Sequence, residues 1–220
     1  CELSSFQLDQ IVHFNPKVAI ITNITPDHLD RYDYDMSKYA LAKFRITENQ
    51  SSNDLLILNK DDQESMKYFG KIQTNAQVIY TSTAEINEET FTSNKGITYD
   101  ISECNLRGRH NQSNIAQAIE ALESIGLKKR AVESGISTFQ GLAHRLEFVA
   151  NVDGVDYIND SKATNIDSVW YALDAMKKPI VWIVGGIDKG NDYSILSELV
   201  RNKVIIKKVN ILIRHLFCNK

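Results

Sequence analysis

Short apolar runs rich in β-branched residues recur along this chain, and most are delivered into a polar loop and then a helical pattern. Lys17 to Ile24, Asp54 to Leu58, Gln77 to Thr81 and Ile180 to Val184 are such runs. Amphipathic stretches stand among them, at Asp35 to Gln50 and again up to about Phe69. Parallel strands need a crossover rather than a tight turn, so this alternation predicts an α/β fold built on parallel sheet. Such sheets bind ligands in the loops at the carboxyl ends of their strands. The most polar of these loops is Asn159-Asp160-Ser161-Lys162-Ala163-Thr164-Asn165, set between the apolar run Val155 to Ile158 and a helical run, Ile166 to Met176. A helix N-terminus attracts phosphate or carboxylate. The plain alternative is a loop whose Asn165 or Thr164 caps the helix.

A chain of 220 residues has room for one large or two small domains. Its net charge of −3 leaves no electrostatic footprint for nucleic acid or an anionic membrane, so neither is expected as a partner. Cys1, Cys104 and Cys218 lack ligand spacing and are odd in number, which argues against a disulfide framework or zinc site and suits a reducing cytoplasm. No apolar stretch is long enough to span a bilayer. The chain opens in mid-pattern at Cys1-Glu2-Leu3-Ser4-Ser5-Phe6, so it is expected to be an internal piece of a longer protein.

Other strand ends are polar as well. Lys17 to Ile24 reads as a buried strand that runs into Asn23-Ile24-Thr25-Pro26-Asp27-His28-Leu29-Asp30-Arg31-Tyr32, where Pro26 stops regular pairing. In the helix that follows, Lys43 shares a face with Met36, Tyr39, Ala40, Ile46 and Thr47. Lysine is almost never fully buried without a partner, and the alternative is a stem that packs while the amine snorkels to water. Phe91 to Ser102 reads as a hairpin around Ser93 to Gly96. Arg107-Gly108-Arg109-His110-Asn111 then precedes a helix with Ile115, Ile119, Leu122 and Ile125 as its predicted buried face and Gly126 at its end. Asn111 and Asn114 are three apart in its first turn and point the same way; an N-cap role would account for Asn111 but not for Asn114.

A second helix spans about Lys129 to Thr138, followed by a linker, Phe139 to Leu142. Arg145 to Val152 and Val155 to Ile158 flank Asp153-Gly154, a strong hairpin signal. Ile180 to Val184 reads as a buried strand leading to the glycine-rich loop Gly185 to Gly190, and a helix is predicted near Tyr193 to Arg201. Val204 to Ile206 and Val209 to Ile213 read as strand.

The separated motifs Glu2 to Leu8, Asn23 to Tyr32, His110-Asn111 with Asn114, His144-Arg145-Leu146-Glu147, Asn159 to Asn165 and Gly185 to Gly190 together resemble the Mur ligases. These are ATP-dependent amide-bond-forming enzymes of peptidoglycan synthesis. The Ser161-Lys162-Ala163-Thr164-Asn165 run is similar to the branch that adds D-glutamate. The resemblance implies that residues 1–141 are the C-terminal part of a central ATP-binding domain. Residues 142–220 would be the first part of a Rossmann-like C-terminal domain, with a hinge near Gly141 to His144. Two departures stand out: Ala143 occupies a position where the family usually has proline, and the tail beyond Val204 does not follow the pattern. No G-x-x-x-x-G-K-[ST] phosphate loop occurs in this chain, so by itself it is expected to be inactive.

By that resemblance the substrates are UDP-N-acetylmuramoyl-L-alanine and D-glutamate, the cofactors ATP and Mg²⁺, and the enzyme a cytoplasmic monomer. Glu2, His28 and Lys43 correspond to catalytic and metal-binding residues, with Lys43 carbamylated. Asn111, Asn114, Arg145 and Asp160 correspond to ATP contacts, and Lys162, Thr164 and Lys189 to substrate contacts. For Lys189 the plain alternative is a lysine capping its glycine loop in solvent. Two further readings stay open: a folate-polyglutamylating ligase of the same superfamily, and a non-catalytic nucleotide-binding module.

Overall fold

The computed structural model describes residues 1–87, 89–106, 108–186 and 192–209. It divides into two compact units, Cys1–Cys104 with Asn111–Phe139, and Asn105–His110 with Gln140–Lys220.

In the first unit, β1 (Val18–Ile21), β2 (Leu55–Asn59) and β3 (Gln77–Thr81) form a parallel sheet in that order. A short helix, α1 (Ser5–Leu8), precedes β1; α2 (Met36–Phe44) and α3 (Gln63–Phe69) are the crossovers. Successive strand residues point to opposite faces. Leu56, Ile57 and Leu58 are all fully buried, so both faces of β2 are covered, as parallel sheet requires. Leu56 and Leu58 join Ala19 and Ile21 in a core with Tyr39, Ala40 and Phe44 of α2 and Tyr68 of α3.

β1 is shorter than the apolar run Lys17 to Ile24, because Thr22 and Asn23 already leave the ladder for the loop. The predicted helix Asp35 to Gln50 ends its α-helical part at Phe44 and tightens into a 3₁₀ turn at Arg45–Thr47. Asp35 caps α2 by accepting the Ser37 N–H at 2.7 Å. Two aspartates at the end of β2 tie the carboxyl edge of the sheet together. Asp62 accepts from the Ile24 N–H (3.0 Å) and caps α3 through Ser65 (2.9 Å). Asp61 accepts from the Ser82 hydroxyl (2.6 Å) and the Thr83 N–H (2.7 Å).

The hairpin β4 (Thr90–Thr92) and β5 (Thr98–Asp100) is antiparallel, as its sequence predicts. α4 (Arg109–Ser124) and α5 (Lys129–Thr138) follow. The buried face of α4 carries Ile115 (7% exposed) and Ile119 (0%), as predicted, but Ile125, just past its last residue, is 59% exposed, and Glu120 and Glu123 are buried as well, at 3% and 6%. These carboxylates are buried because the hairpin needs them. Glu120 accepts from the Asn94 backbone N–H at 2.7 Å and its side-chain amide at 2.9 Å, and Glu123 accepts from the Tyr99 hydroxyl at 2.9 Å.

In the second unit, β6 (Glu147–Val152) and β7 (Val155–Asn159) form an antiparallel hairpin. Its turn has Asp153 at φ 50° and Gly154 at φ 82°, the double positive φ that an Asp-Gly pair supplies. α6 (Ile166–Ala175), β8 (Ile180–Val184), α7 (Ser197–Lys203) and β9 (Val204–Val209) complete it, with β8 and β9 parallel. Leu173, Leu196 and Val200 form its core, packed by Trp170, Trp182 and Val204. The Lys203 amine donates to the carbonyls of Leu173 (3.1 Å), Asp174 (2.6 Å) and Met176 (3.1 Å), closing the C-terminal end of α6. β8 is not the buried strand its sequence predicts: Val181 is 54% and Ile183 77% exposed, and Ile205 on β9 is 68% exposed.

Candidate active site

In the first unit Glu2, His28 and Lys43 lie on or around the loop that leaves β1. That loop carries His28 in the left-handed region, at φ 50°. Its N–H donates to Asp27 Oδ1 at 2.9 Å, and its Nε2 lies 3.6 Å from Asp27 Oδ2. The His28 ring meets the Phe6 ring of α1 edge-on, with centroids 5.9 Å apart, while the Arg31 guanidinium stacks on Phe6 at 4.6 Å. α1 therefore braces the loop, and Glu2 lies just ahead of it in the chain.

Lys43, on α2, is half-buried, and its Nζ lies 5.0 Å from the Tyr39 ring centroid. Burial pulls its amine below the ordinary lysine value, while the charges of Asp27 and then Glu2 pull the other way. The amine is thus desolvated rather than held out in water. The same pocket pushes the Tyr39 hydroxyl up to about 12, first through burial and then through the charge of Asp27. Asp27 and Glu2 thus both act on Lys43 electrostatically. Asp27 is the residue that sequence reasoning passed over; its signal was an acid directly before the loop histidine.

No group of three or more His, Cys, Asp or Glu side chains arranged to hold a metal occurs among the described residues. The donor chemistry nonetheless fits a hard cation. Glu2 and Asp27 supply carboxylates, as Mg²⁺ prefers, and a lysine amine that burial favours in its neutral form is the form that can take up CO₂. Carbamylation would replace a repelling cation by an oxygen anion.

Asn111 and Asn114 stand in the first turns of α4. Asn111 is not its N-cap, because the helix already begins at Arg109. Gln117, one turn further on, donates to the Ile21 carbonyl at 3.2 Å and so sets this helix against β1.

The second unit assembles another cluster. Arg145 lies in a tight turn with His144 at φ 65° and Leu146 at φ 44°. The Leu146 N–H donates to Asp160 Oδ1 at 3.0 Å, and the Lys162 N–H to the His144 carbonyl at 3.1 Å, so Arg145 and the Asn159 to Asn165 loop are joined. Burial raises the Asp160 carboxyl above its usual value, against the Leu146 hydrogen bond and the Arg145 charge, which lower it. Lys162 and Thr164 are exposed on this loop. Asn165 caps α6 by accepting the Ser168 N–H at 2.8 Å, which leaves Thr164 free of that duty. Lys189 lies outside the described residues.

The sequence matches the model of the Mur ligase middle domain over residues 1–122. A curated UDP-N-acetylmuramoylalanine--D-glutamate ligase from Christiangramia forsetii is 42% identical over 213 residues, which cover 92% of this chain and 48% of that protein. The chain spans about half the length of the curated relatives it matches. Among solved structures, MurF from Acinetobacter baumannii aligns with a TM-score of 0.65 at 19% identity, over 89% of this chain and 46% of that one. Folylpolyglutamate synthase from Mycobacterium tuberculosis, complexed with ADP and AMPPCP, gives 0.60 at 20% identity, over 78% and 42%. At those identities the structural likeness is one of fold.

Proposed function

The chain belongs to the Mur ligase family, and from that premise we propose that it is part of an ATP-dependent ligase that adds D-glutamate to UDP-N-acetylmuramoyl-L-alanine in the cytoplasm. The observation that carries the chemistry is Lys43, a desolvated amine under the charges of Asp27 and Glu2. The run Ser161 to Asn165 and the similarity to curated D-glutamate ligases support this branch over a folate-polyglutamylating one. The fold does not separate the two, since folylpolyglutamate synthase and MurF both share it.

In this reading the alanine carboxylate of the sugar nucleotide attacks the γ-phosphorus of ATP; the bond to the ADP oxygen breaks and an acyl phosphate forms. The D-glutamate amine then attacks the acyl carbon, phosphate leaves, and the amine proton is lost to the surroundings. Phosphoryl transfer depends on positioning and on neutralising charge. Glu2, His28 and carbamylated Lys43 would hold Mg²⁺, which supplies that neutralisation when bound. Asn111 and Asn114 offer side-chain amides to adenine, and Arg145 and Asp160 hold the nucleotide's phosphates and ribose. Lys162, Thr164 and Lys189 take up the carboxylates of D-glutamate, with Lys189 as a point charge. We assign residues 1–141 to the central domain and 142–220 to the C-terminal one.

The test is a substrate panel on the full-length protein that carries this chain. Phosphate release that requires both UDP-N-acetylmuramoyl-L-alanine and D-glutamate supports the reading. Turnover with a folate and L-glutamate instead would assign the chain to the other branch. Lys43→Ala should abolish turnover, with partial rescue by an added short-chain carboxylic acid whose carboxylate stands in for the carbamate; wild-type kcat in Lys43→Ala would reject the carbamate.

A further inference from the structure

The tight turn that carries Arg145 is held by two side chains to which no role has been given, Glu147 and Asn159. Glu147 Oε2 accepts the His144 N–H at 2.7 Å. Asn159 Nδ2 lies 2.7 Å from His144 Nδ1 and 3.3 Å from Glu147 Oε2, while its Oδ1 accepts the Ser161 N–H at 3.1 Å. These partners fix which way the amide points. A reversed amide would turn its oxygen onto the Glu147 carboxylate and its NH₂ onto the Ser161 N–H, pairing acceptor with acceptor and donor with donor. With the NH₂ donating, His144 Nδ1 has to accept, and the hydrogen of the neutral imidazole sits on Nε2. Glu147 alone would select the opposite tautomer, because its carboxylate 3.5 Å from Nδ1 can only accept. Asn159 decides between them. The His144 side chain is 60% exposed, and it stands next in sequence to Arg145.

We propose that Asn159 is a positioning residue: it holds His144 as the Nε2–H tautomer, a neutral donor for an anionic phosphate oxygen of the nucleotide. Glu147 anchors the left-handed backbone that presents this donor with Arg145. The inference rests on the reading of Arg145 and Asp160 as nucleotide contacts. It adds a donor to that site and a reason why the loop begins with asparagine.

The tautomer is read from imidazole ¹⁵N shifts of the full-length protein in alkaline buffer, where histidine is neutral, with His144→Gln assigning the signals. Wild type should show Nε2–H; an Nδ1–H ring overturns the proposal with no variant needed. Asn159→Asp replaces the donor by an acceptor and should invert the tautomer. It should also raise the KM for ATP about tenfold, the effect of one lost hydrogen bond, while the KM for D-glutamate moves little. Glu147→Gln should keep the Nε2–H tautomer. An Asn159→Asp protein that retains Nε2–H, or that inverts it without changing the KM for ATP, refutes the role. Arg145→Ala and Asp160→Ala, measured alongside, tell the two failures apart. If they raise the KM for ATP and Asn159→Asp does not, only this inference falls; if none of the three does, the nucleotide reading falls with it.

Discussion

Replacing Gly108 by alanine should destabilise the second unit far more than replacing Gly154, although both glycines sit at positive φ. Gly154 has φ +82° with nothing within 4 Å of where a Cβ would stand, so Gly154→Ala adds backbone strain alone. A left-handed conformation costs an L-residue about 1–2 kcal/mol. Gly108 has φ +93°, and its Cβ would also come 2.9 Å from His110 Cε1 and 3.1 Å from the Ala175 Cβ. The methyl of Ala175 has no torsion that would move it aside, and the His110 ring is held against Tyr171, with centroids 5.1 Å apart. Overpacking of this kind costs a further ~1–3 kcal/mol, so the total for Gly108→Ala is about 2–5 kcal/mol. Urea unfolding followed by tryptophan emission measures this well, because both tryptophans, Trp170 and Trp182, belong to this unit. A Gly108→Ala loss no larger than that of Gly154→Ala would refute the argument from close approach.

Three further outcomes are expected. Burial holds the Lys43 amine below its ordinary value of 10.5, so between the folded and unfolded values the unfolded chain binds the extra proton and stability rises with pH. The penalty is complete below the folded value; Lys43→Met should therefore raise stability at neutral pH and remove the alkaline rise, as urea melts in bicarbonate-free buffer at the two pH ranges would show. Glu120→Ala removes the acceptor of both Asn94 bonds. Charge-assisted bonds contribute about 1.5–3 kcal/mol each, but Asn94 is exposed and regains water, so a loss near the low end, about 2 kcal/mol by circular dichroism, is expected. Lys189→Ala should raise the D-glutamate KM about tenfold to a hundredfold and leave the ATP KM nearly unmoved; an equal rise in both would reject the assignment.

What the sequence made legible was whatever depends on local pattern. Gln77 to Thr81 and Lys129 to Thr138 are a strand and a helix at the predicted residues, and Asp153-Gly154 is the predicted turn. Periodicity failed where a partner distant in sequence decides burial. Glu120 and Glu123 lie inside because Asn94 and Tyr99, more than twenty positions earlier, offer them donors. Ile125 lies outside although it continues the apolar face. The site was legible in part. Lys43 on an apolar face announced itself, but Asp27 acts on it through space and left no periodic trace. Likewise the Asn159 to Asn165 loop was conspicuous by polarity. That its first residue orients His144, fifteen positions earlier, needed coordinates.

The branched side chains that β8 and β9 leave outward carry a consequence for handling the protein in solution. Val181 and Ile183 on β8 and Ile205 on the paired strand β9 are exposed apolar side chains, the kind of surface that adheres to its own copies when nothing shields it. With a net charge of only −3, long-range repulsion between molecules is weak. Colloidal behaviour of the isolated chain is therefore set less by its fold than by three exposed residues of one strand pair, and turbidity should grow with concentration and with added salt.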